Sequence, residues 1–174
     1  MANDIIDYSA EALFRKYSEG CSYFVETGSN DGATIQRALD IEWIEKVFSC
    51  DINQEKCNFC RRRFEDSPVE IHNNLSTGFL RRVVPILDKK SLFWLDAHGE
   101  GGGDPLLEEL ELIAEHGTRL HNIMIDDIPE HYPGQEEIIK EKLWEINPNY
   151  TIEFMPIAHH QRDYIFVAHC QEEK

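Results

Sequence analysis

One stretch of the chain has the residue types to hold a cationic ligand. Phe24-Val25-Glu26-Thr27-Gly28-Ser29-Asn30-Asp31-Gly32 runs from an apolar strand into a glycine turn, and a helix-forming segment follows. A phosphate-cradling P-loop would need Gly-x-x-x-x-Gly-Lys-Ser/Thr, and no Lys follows Gly32. A dinucleotide fingerprint would need Gly-x-Gly-x-x-Gly, with helix N–H groups facing a pyrophosphate. Here Glu26 ends the expected strand and Asp31 sits in the turn. Carboxylates repel phosphate and suit a positive charge. The ligand expected is an adenosine with a cationic end, and S-adenosylmethionine, with its sulfonium and ammonium, fits that description.

Further acidic residues fall at the ends of other apolar runs. Asp51, Asp96, Asp126 and Asp127 each close a strand-like segment. In an open α/β sheet, ligands bind outside the carboxyl ends of the strands. Asp51, with Ile52 after it, is placed to accept both ribose hydroxyls, although a helix N-cap would use the same residue type. Asn73, Asn74, Leu75 and Ser76 follow the third strand and can either reach an adenine ring or cap the next helix. The cofactor set is therefore Glu26, Thr27, Gly28, Ser29, Asn30, Asp31, Gly32, Asp51, Ile52, Asn74, Leu75, Ser76 and Asp96.

Asp96, Asp126 and Asp127 form a second group. Three carboxylates brought close together must be protonated, paired or neutralised by a cation. Ligands that are all oxygen suit Mg²⁺, Ca²⁺ or Mn²⁺ rather than zinc, with Mg²⁺ or Mn²⁺ the cofactor expected. A cation there could hold an acceptor oxygen and lower a hydroxyl pKa. The rival reading has one Asp seating the cofactor and another capping a helix. His98, two residues beyond Asp96, is the candidate general base, so His98 and Asp96 form the catalytic pair. A metal-ligand role is its rival. Gly99, Gly101, Gly102 and Gly103 make either a lid or a plain connector, and His159 or His160 could line an acceptor pocket.

These residues need elements to position them. The chain alternates strand-like and helix-like segments, which predicts a parallel α/β sheet. Helices are expected over Ser9–Tyr17, Ala33–Leu39, Asn53–Arg63, Thr77–Leu87, Pro105–Ala114 and Glu136–Trp144. Strands are expected over Tyr23–Glu26, Lys46–Cys50, Val69–His72, Ser91–Leu95 and Asn122–Ile125. Thr151–Met155 and Asp163–Ala168 read as a late antiparallel hairpin at the sheet edge.

At 174 residues the length suggests one domain, residues 1–174, and 41% apolar residues are enough for a core. The net charge of −16 repels nucleic acid and anionic membranes. Arg61-Arg62-Arg63 and Arg81-Arg82 read as solvated helix faces, with anionic substrate contact as the minority reading. No apolar run is long enough to span a membrane, and Met1–Tyr8 lacks a secretory signal pattern. Five cysteines without a framework spacing fit a reducing compartment, so the cytoplasm is expected, or host cytoplasm if the source is viral. Cys57-x-x-Cys60 lacks the second pair that a zinc site needs and reads as two helix side chains.

Glu26-Thr27-Gly28-Ser29-Asn30-Asp31-Gly32, followed by Asp51 and the strands ending at Asp96 and Asp126, resembles the class I S-adenosylmethionine-dependent methyltransferases over nearly the whole chain. Phe93-Trp94-Leu95-Asp96-Ala97-His98, Pro105-Leu106-Leu107-Glu108-Glu109-Leu110 and Ile125-Asp126-Asp127 look like small O-methyltransferase domains of glycan and natural-product pathways. Chlorovirus glycan-modifying proteins and macrocin-type sugar O-methyltransferases are similar. The resemblance implies a seven-stranded sheet in the order 3-2-1-4-5-7-6, with strand 7 antiparallel. It also implies Asp96, Asp126 and Asp127 as metal ligands, His98 as base and a sugar or glycan hydroxyl as acceptor. The chain would then be part of a larger glycan-processing polypeptide or a free protein. The alternatives are a cofactor-binding domain acting as a non-catalytic partner, a methyltransferase of a non-sugar small molecule, and a nucleotide-sugar or NAD enzyme. The last lacks both Gly-x-Gly-x-x-Gly and a Tyr-x-x-x-Lys pair.

Overall fold

A computed structural model of the chain describes residues 10–98, 104–116, 119–156 and 164–170. The proposed glycine lid (99–103) and His159-His160 lie outside these residues. Seven strands form one sheet: β1 (Tyr23–Thr27), β2 (Lys46–Asp51), β3 (Val69–Asn73), β4 (Ser91–Leu95), β5 (Asn122–Ile125), β6 (Thr151–Pro156) and β7 (Tyr164–His169). Their order is β3-β2-β1-β4-β5-β7-β6. The first five run parallel, and β7 is antiparallel to both β5 and β6. The helices are α1 (Ala10–Tyr17), α2 (Ala33–Leu39), α3 (Gln54–Arg63), α4 (Ser76–Val83), α5 (Leu106–Ala114), α6 (Ile128–His131) and α7 (Glu136–Ile146).

The central strands are apolar at nearly every position because both faces of the sheet are covered. Period-two alternation still sorts the side chains. Phe24, Val47, Leu92, Trp94, Met124 and Val167 pack with Leu13 and Phe14 of α1, Ile35 of α2 and Phe64 after α3. Val25, Phe48, Phe93, Leu95, Ile123 and Phe166 point the other way, onto Phe79 of α4, Leu110 of α5 and Leu143 of α7. Burying each such side chain contributes roughly 1.5–3 kcal/mol. The same alternation sends Glu26 to the α2 side and Thr27 to the α5 side.

Several bounds differ from the sequence reading. β1 ends at Thr27 rather than Glu26, so Glu26 is a sheet residue paired with Ser49. The segment expected as one helix over Thr77–Leu87 splits into α4 and a 3-10 turn over Val84–Ile86. Pro85 explains the break, since it has no N–H to continue the α ladder. α6, only four residues long, is too short for any periodicity to reveal.

The sheet order reverses between β1 and β4, and the chain turns there without room for a side chain. Gly28 has φ +96°, and a Cβ on it would lie 2.7 Å from the Asp96 carbonyl oxygen. Gly28→Ala combines a disfavoured backbone conformation with a clash against main chain. It is expected to lose at least about 2 kcal/mol of stability, read as a lowered urea midpoint. An unchanged midpoint would show that this turn relaxes freely.

Candidate active site

At the switch point lies a cavity of about 500 Å³. Its walls come from the turns after β1, β2, β3 and β4 and from the start of α5. Of the residues singled out in the sequence, Gly28, Asn30, Asp51 and Ile52 line it from one side. Asn74, Leu75 and Ser76 line it from a second, and Asp96 and His98 from a third. Glu26, Thr27 and Ser29 are buried and do not line it, Asp31 is exposed on the turn, and Gly32 is the N-cap of α2. Lys56, Asp104 and Glu108 also line the cavity, and the sequence reading had assigned none of them.

Asp51 is held by main chain. Its Oδ2 accepts from Asn30 N at 3.0 Å and its Oδ1 from Asn53 N at 2.8 Å. It is not the cap of α3: Asn53 is, accepting from Glu55 N and Lys56 N. Asn73 does not cap α4 either. Its Nδ2 donates to the carbonyls of Asp51 and Ile52, tying the loops after β2 and β3 together. Ile52 and Leu75 stand 39% and 57% exposed beside the cavity, an apolar pair in an otherwise polar mouth. Two residues of the Arg61–Arg63 run make local ties, Arg61 to Ile71 O and Arg63 to Asp31 O.

The second group does assemble. One carboxylate oxygen from each of Asp96, Asp126 and Asp127 lies within 4.8 Å of the others. His98 enters the same group: its Nε2 is 3.0 Å from Asp96 Oδ1 and 3.1 Å from Asp127 Oδ2. The hydrogen bond to Asp96, reinforced by both negative charges, raises the His98 pKa above the usual value. Asp127 adopts φ 52°, one of two positive-φ residues other than glycine among the described residues; the other is Asn30 in the turn after β1. Conformations of this kind persist where the surroundings over-determine them, and they cluster at functional sites. α6 also brings in His131, whose ring stacks on that of His98 with centroids 3.7 Å apart.

Two buried acids sit behind the cavity wall, one on each face of β1. Glu26 accepts from Ser49 Oγ at 2.5 Å, with Thr34 also bonding to it, and its Oε1 has no partner among the described residues. Glu109 of α5 bonds to Ser76 and Thr27, and its Oε1 is likewise unpartnered among the described residues. Desolvation pushes both up to about 7. Thr27 Oγ1 in turn accepts from Asp96 N at 3.3 Å, so Glu109, Thr27 and Asp96 form a line into the site. Glu109 was legible in principle. It falls on the apolar stripe of α5, three residues after Leu106 and next to Leu110, where a charge is out of pattern.

No family model matches the sequence, and no curated protein matches it significantly. Solved structures do match in fold. Spermidine synthase from Thermotoga maritima superposes with a TM-score of 0.67 at 12% identity, over 92% of this chain and 57% of that one. A Streptococcus mutans protein described as a methyltransferase, solved in complex with SAH, gives 0.64 at 12% identity over 94% and 98%. An rRNA methylase from Streptococcus thermophilus gives 0.64 at 13% identity over 96% and 99%. The chain has the class I methyltransferase fold. The chain thus spans little more than half of the synthase but nearly the full length of the other two. No helix among the described residues is long and apolar enough to cross a membrane.

The buried acids of this methyltransferase fold make its stability depend on pH. A carboxyl raised in the folded state binds its proton more tightly there than in the unfolded chain. Its stabilising effect is complete below about pH 4.5 and is lost as pH rises toward and through 7. For Glu109, facing Asp96, Glu108 and Tyr132, the loss is on the order of 3 kcal/mol. Glu109→Gln removes that titration. The stability of the variant relative to the parent should rise between pH 5 and pH 8, read by urea unfolding. A difference independent of pH would mean that Glu109 is ionised throughout.

Proposed function

We propose that the chain is an S-adenosylmethionine-dependent O-methyltransferase of a small hydroxylated acceptor, a sugar by the resemblance drawn above, assisted by a divalent cation. The observation that carries this reading is the shared mouth. Asp51 and the turn after β1 open onto the same cavity as Asp96 and His98.

Asp51 has both carboxylate oxygens fixed by backbone N–H groups and retains acceptor capacity for two vicinal ribose hydroxyls. Ile52 and Leu75 supply apolar surface for a flat adenine ring. The turn Gly28–Asn30 lets main chain approach the methionine end. Glu26 and Glu109 act from behind, Glu26 on the second strand and Glu109 on Thr27 and Ser76. The bound sulfonium supplies an already activated methyl group, so orientation is the chief task left to the protein.

Asp96, Asp126 and Asp127 fit a divalent cation: they are three part-exposed carboxylates, each with an oxygen within 4.8 Å of the others. Such a cation supplies polarisation of an acceptor hydroxyl. His98 Nε2, lying between Asp96 and Asp127, is the nitrogen at hand to take the hydroxyl proton.

Calorimetric titration with S-adenosylmethionine should give micromolar binding, and Asp51→Ala should weaken it about tenfold or more, since charged hydrogen bonds of this kind contribute roughly 1.5–3 kcal/mol. No binding by the parent chain would sink the methyltransferase reading. In an acceptor screen, Asp126→Ala should abolish stimulation by Mg²⁺ or Mn²⁺. Undiminished stimulation would remove the cation from these carboxylates. His98→Ala should lower turnover while cofactor affinity stays within about threefold; lost affinity would move His98 to the cofactor.

A further inference from the structure

The carboxylate cluster has a neighbour that an oxygen-only reading leaves unused. His131 is reached through α6, which starts directly after Asp127, so the two residues are four apart along one helical turn. Ring nitrogens of His98 and His131 and a carboxylate oxygen of Asp127 lie within 4.8 Å of one another. Asp127 therefore belongs both to this set and to the one it makes with Asp96 and Asp126. His98 already has a task, with its Nε2 against two carboxylates. His131 has none: among the described residues no hydrogen bond or ion pair engages its ring nitrogens, and its contacts are the stack on His98 and an approach to Tyr132. It is half-buried, and its ring is available to a ligand entering beside Asp127.

We infer that His131 is a metal ligand, adding one imidazole nitrogen to the carboxylates around Asp127, and that the site selects a divalent transition ion over Mg²⁺. The inference deepens the proposed function and rests on the same strand-end site. Its chemistry is that of the donor set. Mg²⁺ demands oxygen ligands in near-ideal octahedral geometry and sheds its waters reluctantly. Imidazole suits the later first-row ions such as Fe²⁺, Ni²⁺ and Zn²⁺, and Co²⁺ falls between Fe²⁺ and Ni²⁺ in the general order of affinity. One nitrogen beside two or three carboxylates makes a mixed set that Mg²⁺ uses poorly. A single imidazole also suits the local shape. His98 and His131 lie nearly parallel, at 13°, so their in-plane lone pairs cannot both point at one ion without breaking the stack. The assignment leaves His98 free to take a proton once an ion occupies the carboxylates it now faces.

The test uses metal alone, on the full chain without cofactor or acceptor. Co²⁺ and Mg²⁺ are titrated by calorimetry, and the visible absorption of bound Co²⁺ reports a nitrogen ligand. The parent chain should bind Co²⁺ at least about tenfold more tightly than Mg²⁺. His131→Gln should lower Co²⁺ affinity about tenfold or more and shift the Co²⁺ spectrum, with Mg²⁺ affinity changed less than about twofold. The unchanged Mg²⁺ affinity shows that the variant is folded. His98→Gln should keep the preference for Co²⁺. Equal affinity for the two ions in the parent, or a preference that survives His131→Gln, overturns the assignment. A preference lost in His98→Gln and kept in His131→Gln makes His98 the nitrogen ligand and also overturns it. Failure to bind either ion removes the metal site, while the cofactor titration above stands or falls separately.

Discussion

The structure must keep many acids at one end of a sheet from repelling one another. Asp51, Asp96, Asp104 and Glu108 line the cavity, against Lys56 and His98. Glu26 and Glu109 lie behind it, fully buried. Three physical means accommodate Asp51, Glu26, Glu109 and Asp96, with Asp127 beside them. Asp51 uses backbone N–H groups, which carry no charge of their own and are fixed by the turn and by α3. Glu26 and Glu109 use desolvation, which favours their protonated forms. Asp96 and Asp127 share an imidazole.

The fold serves that arrangement in two ways. Covering both faces of the sheet leaves most of these acids at the strand ends, where the chain must turn, with Glu26 and Glu109 as the buried exceptions. Reversal of strand order between β1 and β4 then opens a crevice there, in the manner of other doubly wound sheets. Gly28 makes the crevice possible, since the main chain passes over the Asp96 carbonyl with no room for a Cβ. Thr27 accepts from Asp96 N through both its carbonyl and its hydroxyl, which ties the turn after β1 to the acid cluster.

The likeness to solved structures speaks to architecture alone. A synthase of spermidine and a methylase of rRNA superpose on the present chain at 12% and 13% identity. Proteins so different in name can share a scaffold because the sheet fixes only where a ligand sits, and the side chains around the mouth choose what it is. For this chain the charged side chains that line the mouth are Asp51, Lys56, Asp96, Asp104 and Glu108, with His98 beside them.

The sequence by itself determined the alternation of elements, the glycine turn and the acids at the strand ends. Each is a local matter: period, turn chemistry and the residue that closes an apolar run. Asp51, Asp96, Asp126 and Asp127 could be found this way because a charge ending a buried strand stands out in one dimension. Tertiary structure decided the rest. Glu26 looked like a ligand-facing strand end, yet one more residue of β1 turns it into the interior beside Ser49. Glu109 and His131 belong to helices that only the fold sets against β1 and His98. Whether an acid is ionised, paired or protonated depends on neighbours distant in sequence, and those neighbours are chosen by packing rather than by spacing along the chain.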